Sequence, residues 1–124
     1  MAAPRGAFSL RGEQIDGSFQ HDGHTYLLEA KWHQGKTQAD DLRIFEGKLQ
    51  EKAAWSRGLF VSHAGFTEKG LDTLGRNKRV LCMDGLDLYE TLDRRLPLGD
   101  VIVRKARKAV ETGRVFVRVR ELFL

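Results

Sequence analysis

Three residues near the front of the chain have types and spacing suited to phosphodiester hydrolysis: Asp16, Glu29 and Lys31. Side chains along a strand alternate faces, so Glu29 and Lys31, two apart, project to one side while Ala30 points away. A hairpin turning at His21-Asp22-Gly23-His24 brings Asp16 alongside them, because Asp and Gly accept the positive-φ positions of such turns. Two carboxylates and an ammonium then share one small volume. Mg²⁺ is a hard cation that keeps several waters and is commonly held by one or two carboxylates plus substrate phosphate. Asp16 and Glu29 would be those ligands. A metal lowers the pKa of the water it binds and stabilises charge on phosphoryl oxygens. Lys31 is a compact point charge that would orient the water or neutralise charge in the transition state. On spacing alone, the same three residues also describe a solvated hairpin with a surface ion pair.

The elements around them must hold this geometry. Tyr26-Leu27-Leu28 runs apolar into the charged pair, as a buried central strand does when its tip opens into a cleft. A loop carrying Lys36 leads into a helix over about 37–55, with Thr37 and Asp40 spaced as a capping box. Leu42, Phe45, Leu49 and Ala53 form its sheet-facing stripe, and Asp41, Arg43, Lys48, Glu51 and Lys52 its opposite side. Gln38 is either a phosphate or metal-water contact or a plain helix-start residue, and Lys48 either a DNA contact or a solvated charge. The apolar run 58–63 reads as a buried strand parallel to the second motif strand, reached through a strand–helix–strand crossover. Ser62, His63 and Thr67 stand at its end, where such folds gather ligands, although Thr67 equally suits a cap for a helix running to Leu74 and ended by Gly75-Arg76-Asn77. A strand over 79–83 buries Cys82 as an inert core thiol. In the next helix, over about 86–92, Leu86, Leu88, Tyr89 and Leu92 offer an apolar side, and Asp84, Asp87, Glu90 and Asp93 read as terminus and surface charges.

Asp16-Gly17 followed by Glu29-Ala30-Lys31 resembles the PD-(D/E)xK phosphodiesterase motif, and the order downstream resembles its Mrr-like restriction endonuclease branch. The residues carrying that second resemblance are Phe45-Glu46-Gly47-Lys48, Arg57-Gly58-Leu59-Phe60-Val61-Ser62 and Gly65-Phe66-Thr67, and it spans roughly residues 12 to 92. It implies an α/β, restriction-endonuclease-like three-layer core, a central mixed β-sheet flanked by helices. It also implies Mg²⁺, with Mn²⁺ able to substitute, held by Asp16, Glu29 and the backbone carbonyl of Ala30. The partner implied is DNA, double-stranded, cut by a homodimer in restriction, phage defence or DNA processing. Family members usually carry a helix, sometimes with an extra acid, before the first motif strand, and this chain has no room for a full one. It is then either a domain of a longer protein or a reduced form whose missing surface a partner covers. Glu13 is the candidate additional acid, although its parity puts it on the opposite face of a regular strand.

At 124 residues the chain is long enough for one domain with one core. It divides into an extended lead-in (1–12), a catalytic core (13–96) and a basic C-terminal helix and strand (97–124) completing the same domain. Cys82 is the sole cysteine, which excludes a disulfide framework and a thiolate metal cluster. The absence of a secretion signal or an apolar run of about 20 residues makes cytoplasm the expected location. Residues 94–120 hold nine Arg or Lys against two acids, the strongest charge asymmetry in the chain. Arg104, Lys105, Arg107 and Lys108 on a helix over about 100–112, then a strand over 115–119, read as a phosphate-binding surface or as a solvated helix and strand. The competing function is a non-catalytic nucleic-acid-binding or oligomerisation module that keeps the nuclease fold.

Overall fold

In a computed structural model of the chain, Asp22 and Gly23 make the expected two-residue turn, both with positive φ (53° and 76°). Residues 5–11, 14–52, 56–74 and 79–124 are described. The turn joins β2 (Gln14–His21) to β3 (His24–Lys31), and Phe19 stacks on its cross-strand partner Tyr26 with ring centroids 5.1 Å apart. Ahead of them the lead-in does more than extend. Residues 5–11 form β1 (Arg5–Arg11), antiparallel to β2. On the other side of β3 lie β4 (Arg57–Ser62) and then β5 (Val80–Asp84), both parallel. The sheet is therefore mixed, in the order β1-β2-β3-β4-β5.

β4 and β5 are apolar and buried because helices cover both faces. On one face α1 (Ala39–Lys52) and α2 (Glu68–Leu74) bury Leu42, Phe45, Leu49 and Leu74 against Phe60, Val80 and Cys82. On the other, α4 (Leu98–Thr112) packs Val101, Ile102 and Ala109 against Leu59, Val61, Leu81 and Met83. Three layers result, the restriction-endonuclease-like α/β architecture. Gly58 lets α1 sit down on β4, since a Cβ there would lie 2.6 Å from the Phe45 ring. Among the described residues no helix is long and apolar enough to cross a membrane.

Several local expectations shift. Thr37 does not start the capping box. It bridges to Phe66, and its hydroxyl donates to Ser62 Oγ at 2.8 Å. The helix begins two residues later, and Asp41 Oδ2 accepts the Gln38 amide at 3.1 Å, one half of a capping box moved one residue along. Ala53 and Trp55, at the expected end of this helix, and Gly75-Arg76-Asn77 lie outside the described residues.

The helix after β5, α3 (Gly85–Asp93), is inverted. Asp87 and Thr91 are buried, while Leu86, Tyr89 and Leu92 are exposed. Asp84 caps it by accepting the Asp87 amide at 2.9 Å, so neither acid is a surface charge. Residues 115–118 form no strand either; the chain goes into α5 (Val119–Leu122) instead. Val115 O accepts from the Cys82 amide, Val117 O from Lys105 Nζ, and the Val119 amide donates to Asp87 Oδ1, so side chains take positions a strand partner would fill.

Candidate active site

The β2–β3 register sets Asp16 directly opposite Glu29, and Lys31 ends the same strand. Directly opposed residues of an antiparallel pair share a face, and residues two apart in a strand do too, so all three project toward the α1 side. Ala30, between Glu29 and Lys31, pairs with Ile15 on one side and Val61 on the other. Glu13, the candidate auxiliary acid, lies outside the described residues.

Helix α1 brings two more charged groups to the strand tip. Lys48 Nζ donates to Glu29 Oε1 at 2.9 Å. Asp41 Oδ1 accepts from Lys31 Nζ at 3.0 Å, whereas Lys31 stands 4.0 Å from Glu29 Oε2. Asp41 thus links the start of α1 to the end of β3. Burial raises its pKa, but the Gln38 amide and the Lys31 ammonium outweigh that and hold the carboxyl below its ordinary range.

Glu29 itself is 3% exposed, and its charge is balanced by two ammonium groups. The sequence reading left Asp41 out of the site and offered Lys48 only as a DNA contact or a solvated charge, setting both on the helix side away from the sheet. A signal was available. They are seven residues apart, two helical turns, and border the buried Leu42–Phe45–Leu49 stripe.

The donor set suits a divalent oxygen-seeking cation. A buried carboxylate faces a second acid across the ladder and already carries a cation on one oxygen. Among the described residues no group of three or more His, Cys, Asp and Glu side chains forms a cage. Two carboxylates completed by water and phosphate are the arrangement Mg²⁺ favours.

The remaining candidates divide. Lys36 and Gln38 are exposed in the loop beside this cluster. Ser62 is fully buried, taking the Thr37 hydroxyl and donating to Gly65 O at 2.8 Å, so it offers nothing to a phosphate. Thr67 caps α2 through the Gly70 amide at 3.0 Å. Lys105 is also withdrawn from solvent: its ammonium donates to Asp87 Oδ2 (2.8 Å), Cys82 O (3.0 Å) and Val117 O (2.6 Å). Burial lowers its pKa while Asp87 pulls the other way. Arg104 lies over the Phe123 ring and donates to Leu122 O at 2.7 Å. Arg107 and Lys108 are exposed, but Arg107 lines a cleft of about 360 Å³ with His21, His24 and Arg57. That cleft lies at the hairpin tip, the far end of β3 from Lys31. The basic helix therefore does not form one continuous surface with the carboxylates.

The Mrr catalytic-domain model, described as restriction endonuclease, matches residues 9–92, more than half of the chain. The chain belongs to the restriction endonuclease family. No curated protein and no solved structure matches it. The matched segment of this restriction endonuclease family member contains the whole Asp16, Glu29, Lys31, Asp41 and Lys48 constellation. It stops before α4, which carries Arg104, Lys105, Arg107 and Lys108.

Proposed function

We propose that the chain is a metal-dependent endonuclease hydrolysing phosphodiester bonds of double-stranded DNA, acting in restriction, phage defence or DNA processing. The observation carrying this reading is the register that sets Asp16 opposite Glu29 with Lys31 two residues further along the same face. Asp16, Glu29 and the Ala30 carbonyl would hold Mg²⁺, or Mn²⁺ in its place. When bound, the ion supplies charge to the phosphoryl oxygens and acidifies water. Lys31 adds a positive charge beside the phosphate, and Asp41 keeps that ammonium aimed by holding it at 3.0 Å. Lys36, exposed next to the cluster, would contact the DNA backbone. One such site cuts one strand, so a double-strand break calls for two copies of the chain.

The test is cleavage of supercoiled plasmid with Mg²⁺, Mn²⁺, Ca²⁺ or EDTA. Nicking or linearisation with Mg²⁺ or Mn²⁺ is expected, absent in EDTA and reduced about 10²- to 10³-fold or more in Lys31→Ala and Asp16→Ala. No cleavage under any metal, with salt-sensitive DNA binding retained, would leave a binding module in the nuclease fold. Activity surviving both substitutions would take the chemistry away from these residues.

A further inference from the structure

Lys48 holds one oxygen of the Glu29 carboxylate, the group proposed above as a metal ligand. Its ammonium is 2.9 Å from Oε1, while the other lysine of the site leans to Asp41 and stands 4.0 Å from Oε2. A carboxylate only 3% exposed needs a counter-charge, because burying an uncompensated ion is expensive. Lys48 is the nearer of the two that supply it. Unlike a locked structural lysine, its side chain is 39% exposed, and its flexible stem can return the ammonium to water without unfolding α1.

We infer that Lys48 is the resident counter-ion of Glu29, a positioning residue with which a divalent cation must compete and that thereby lowers the metal affinity of the site. The inference rests on the metal reading above. An ammonium 2.9 Å from Oε1 repels a divalent cation approaching either oxygen of this carboxylate, so metal binding is opposed by the Lys48–Glu29 contact. Without metal, Lys48 keeps the buried carboxylate charged and in place.

The test is calorimetric titration of Mn²⁺ into the full chain without DNA, for wild type, Lys48→Met, Lys48→Gln and Lys48→Arg. Removing a charge-assisted contact predicts that Lys48→Met binds Mn²⁺ about tenfold or more tightly than wild type, with Lys48→Arg close to wild type. Thermal melting gives a second reading: Lys48→Met should melt below wild type without metal and regain the difference when Mn²⁺ is added. Lys48→Gln, which still donates to Oε1 but carries no charge, should also bind more tightly and covers the case in which the methionine variant does not fold. Unchanged affinity in both neutral variants, with wild-type binding abolished by Glu29→Gln, would overturn this inference and leave the metal site standing. If Mn²⁺ binds none of these proteins, this inference and the metal reading fall together.

Discussion

Two lysine–carboxylate clusters sit on this sheet, built from the same residue types and put to different ends. At the tip of β3, Glu29, Lys31, Lys48 and Asp41 share charges, and the two lysine side chains are 17% and 39% exposed. Beyond β5, Lys105 and Asp87 are each 1% exposed. An ammonium has three N–H donors, and Lys105 has three acceptors for them: Asp87 Oδ2, Cys82 O and Val117 O. The other oxygen of Asp87 takes the Val119 amide, and Arg118 closes on Asp84 at 2.8 Å. Identity of residues therefore does not separate a chemical site from a structural one. Saturation and exposure do: the Lys105 ammonium has no donor to spare, while the lysines of the β3 cluster are partly open to water.

The largest expected effect that would break this contrast is on stability. Lys105→Met leaves Asp87 buried without its cation, and should lower the unfolding free energy by about 3–5 kcal/mol in urea denaturation. Lys31→Met should cost about 1 kcal/mol or less, because Lys48 still faces Glu29 and Asp41 reaches water. Equal losses would make the clusters alike. A smaller effect concerns Cys82, where burial pushes the thiol up to about 12 from an ordinary 9.0, with Lys105 pulling the other way. A raised folded-state pKa contributes stability that is intact below 9.0 and is lost as pH rises through about 12. Urea midpoints measured against pH should therefore fall more steeply above 9.0 in wild type than in Cys82→Ala.

The smallest effect belongs to Asp41. Its pKa is depressed below 3.8, so its contribution is present above that value and disappears only as acid carries the pH down through the lowered one. Asp41→Asn should lower stability slightly at neutral pH and flatten the acid limb below about pH 4, where the two profiles converge. An acid limb identical to wild type would mean that the Lys31 contact holds nothing in solution.

Strand parity made Asp16, Glu29 and Lys31 legible in the sequence, as Asp22-Gly23 did the turn that aligns them. The α/β order was legible too, because alternating apolar runs and helical stripes are local patterns. Asp41 and Lys48 were legible only as borders of the buried stripe, since which way such a residue leans depends on how α1 docks over Gly58. Lys105 was misassigned for a different reason. It occupies the buried stripe between Ile102 and Ala109, at spacings of three and four, but in a run of basic residues it counts as surface charge. α3 inverts the usual pattern for the same cause: Asp87 turns inward to meet that lysine and the Val119 amide, and Leu86, Tyr89 and Leu92 turn out. The alternation over 115–119 resembled a strand, yet its backbone is engaged chiefly by side chains rather than by a ladder.

The outward N–H and C=O of Cys82 are both taken, the first by Val115 O and the second by the Lys105 ammonium. A lysine and one carbonyl thus stand in for the next strand and close the edge of the sheet. Both come from beyond the family-matched segment, which ends at residue 92. A chain cut at that boundary would keep every proposed catalytic residue and still expose β5 as a template for pairing with another molecule. The segment that holds the proposed catalytic residues and the segment that covers the β5 edge therefore have different lengths, and the longer one includes the C-terminal third.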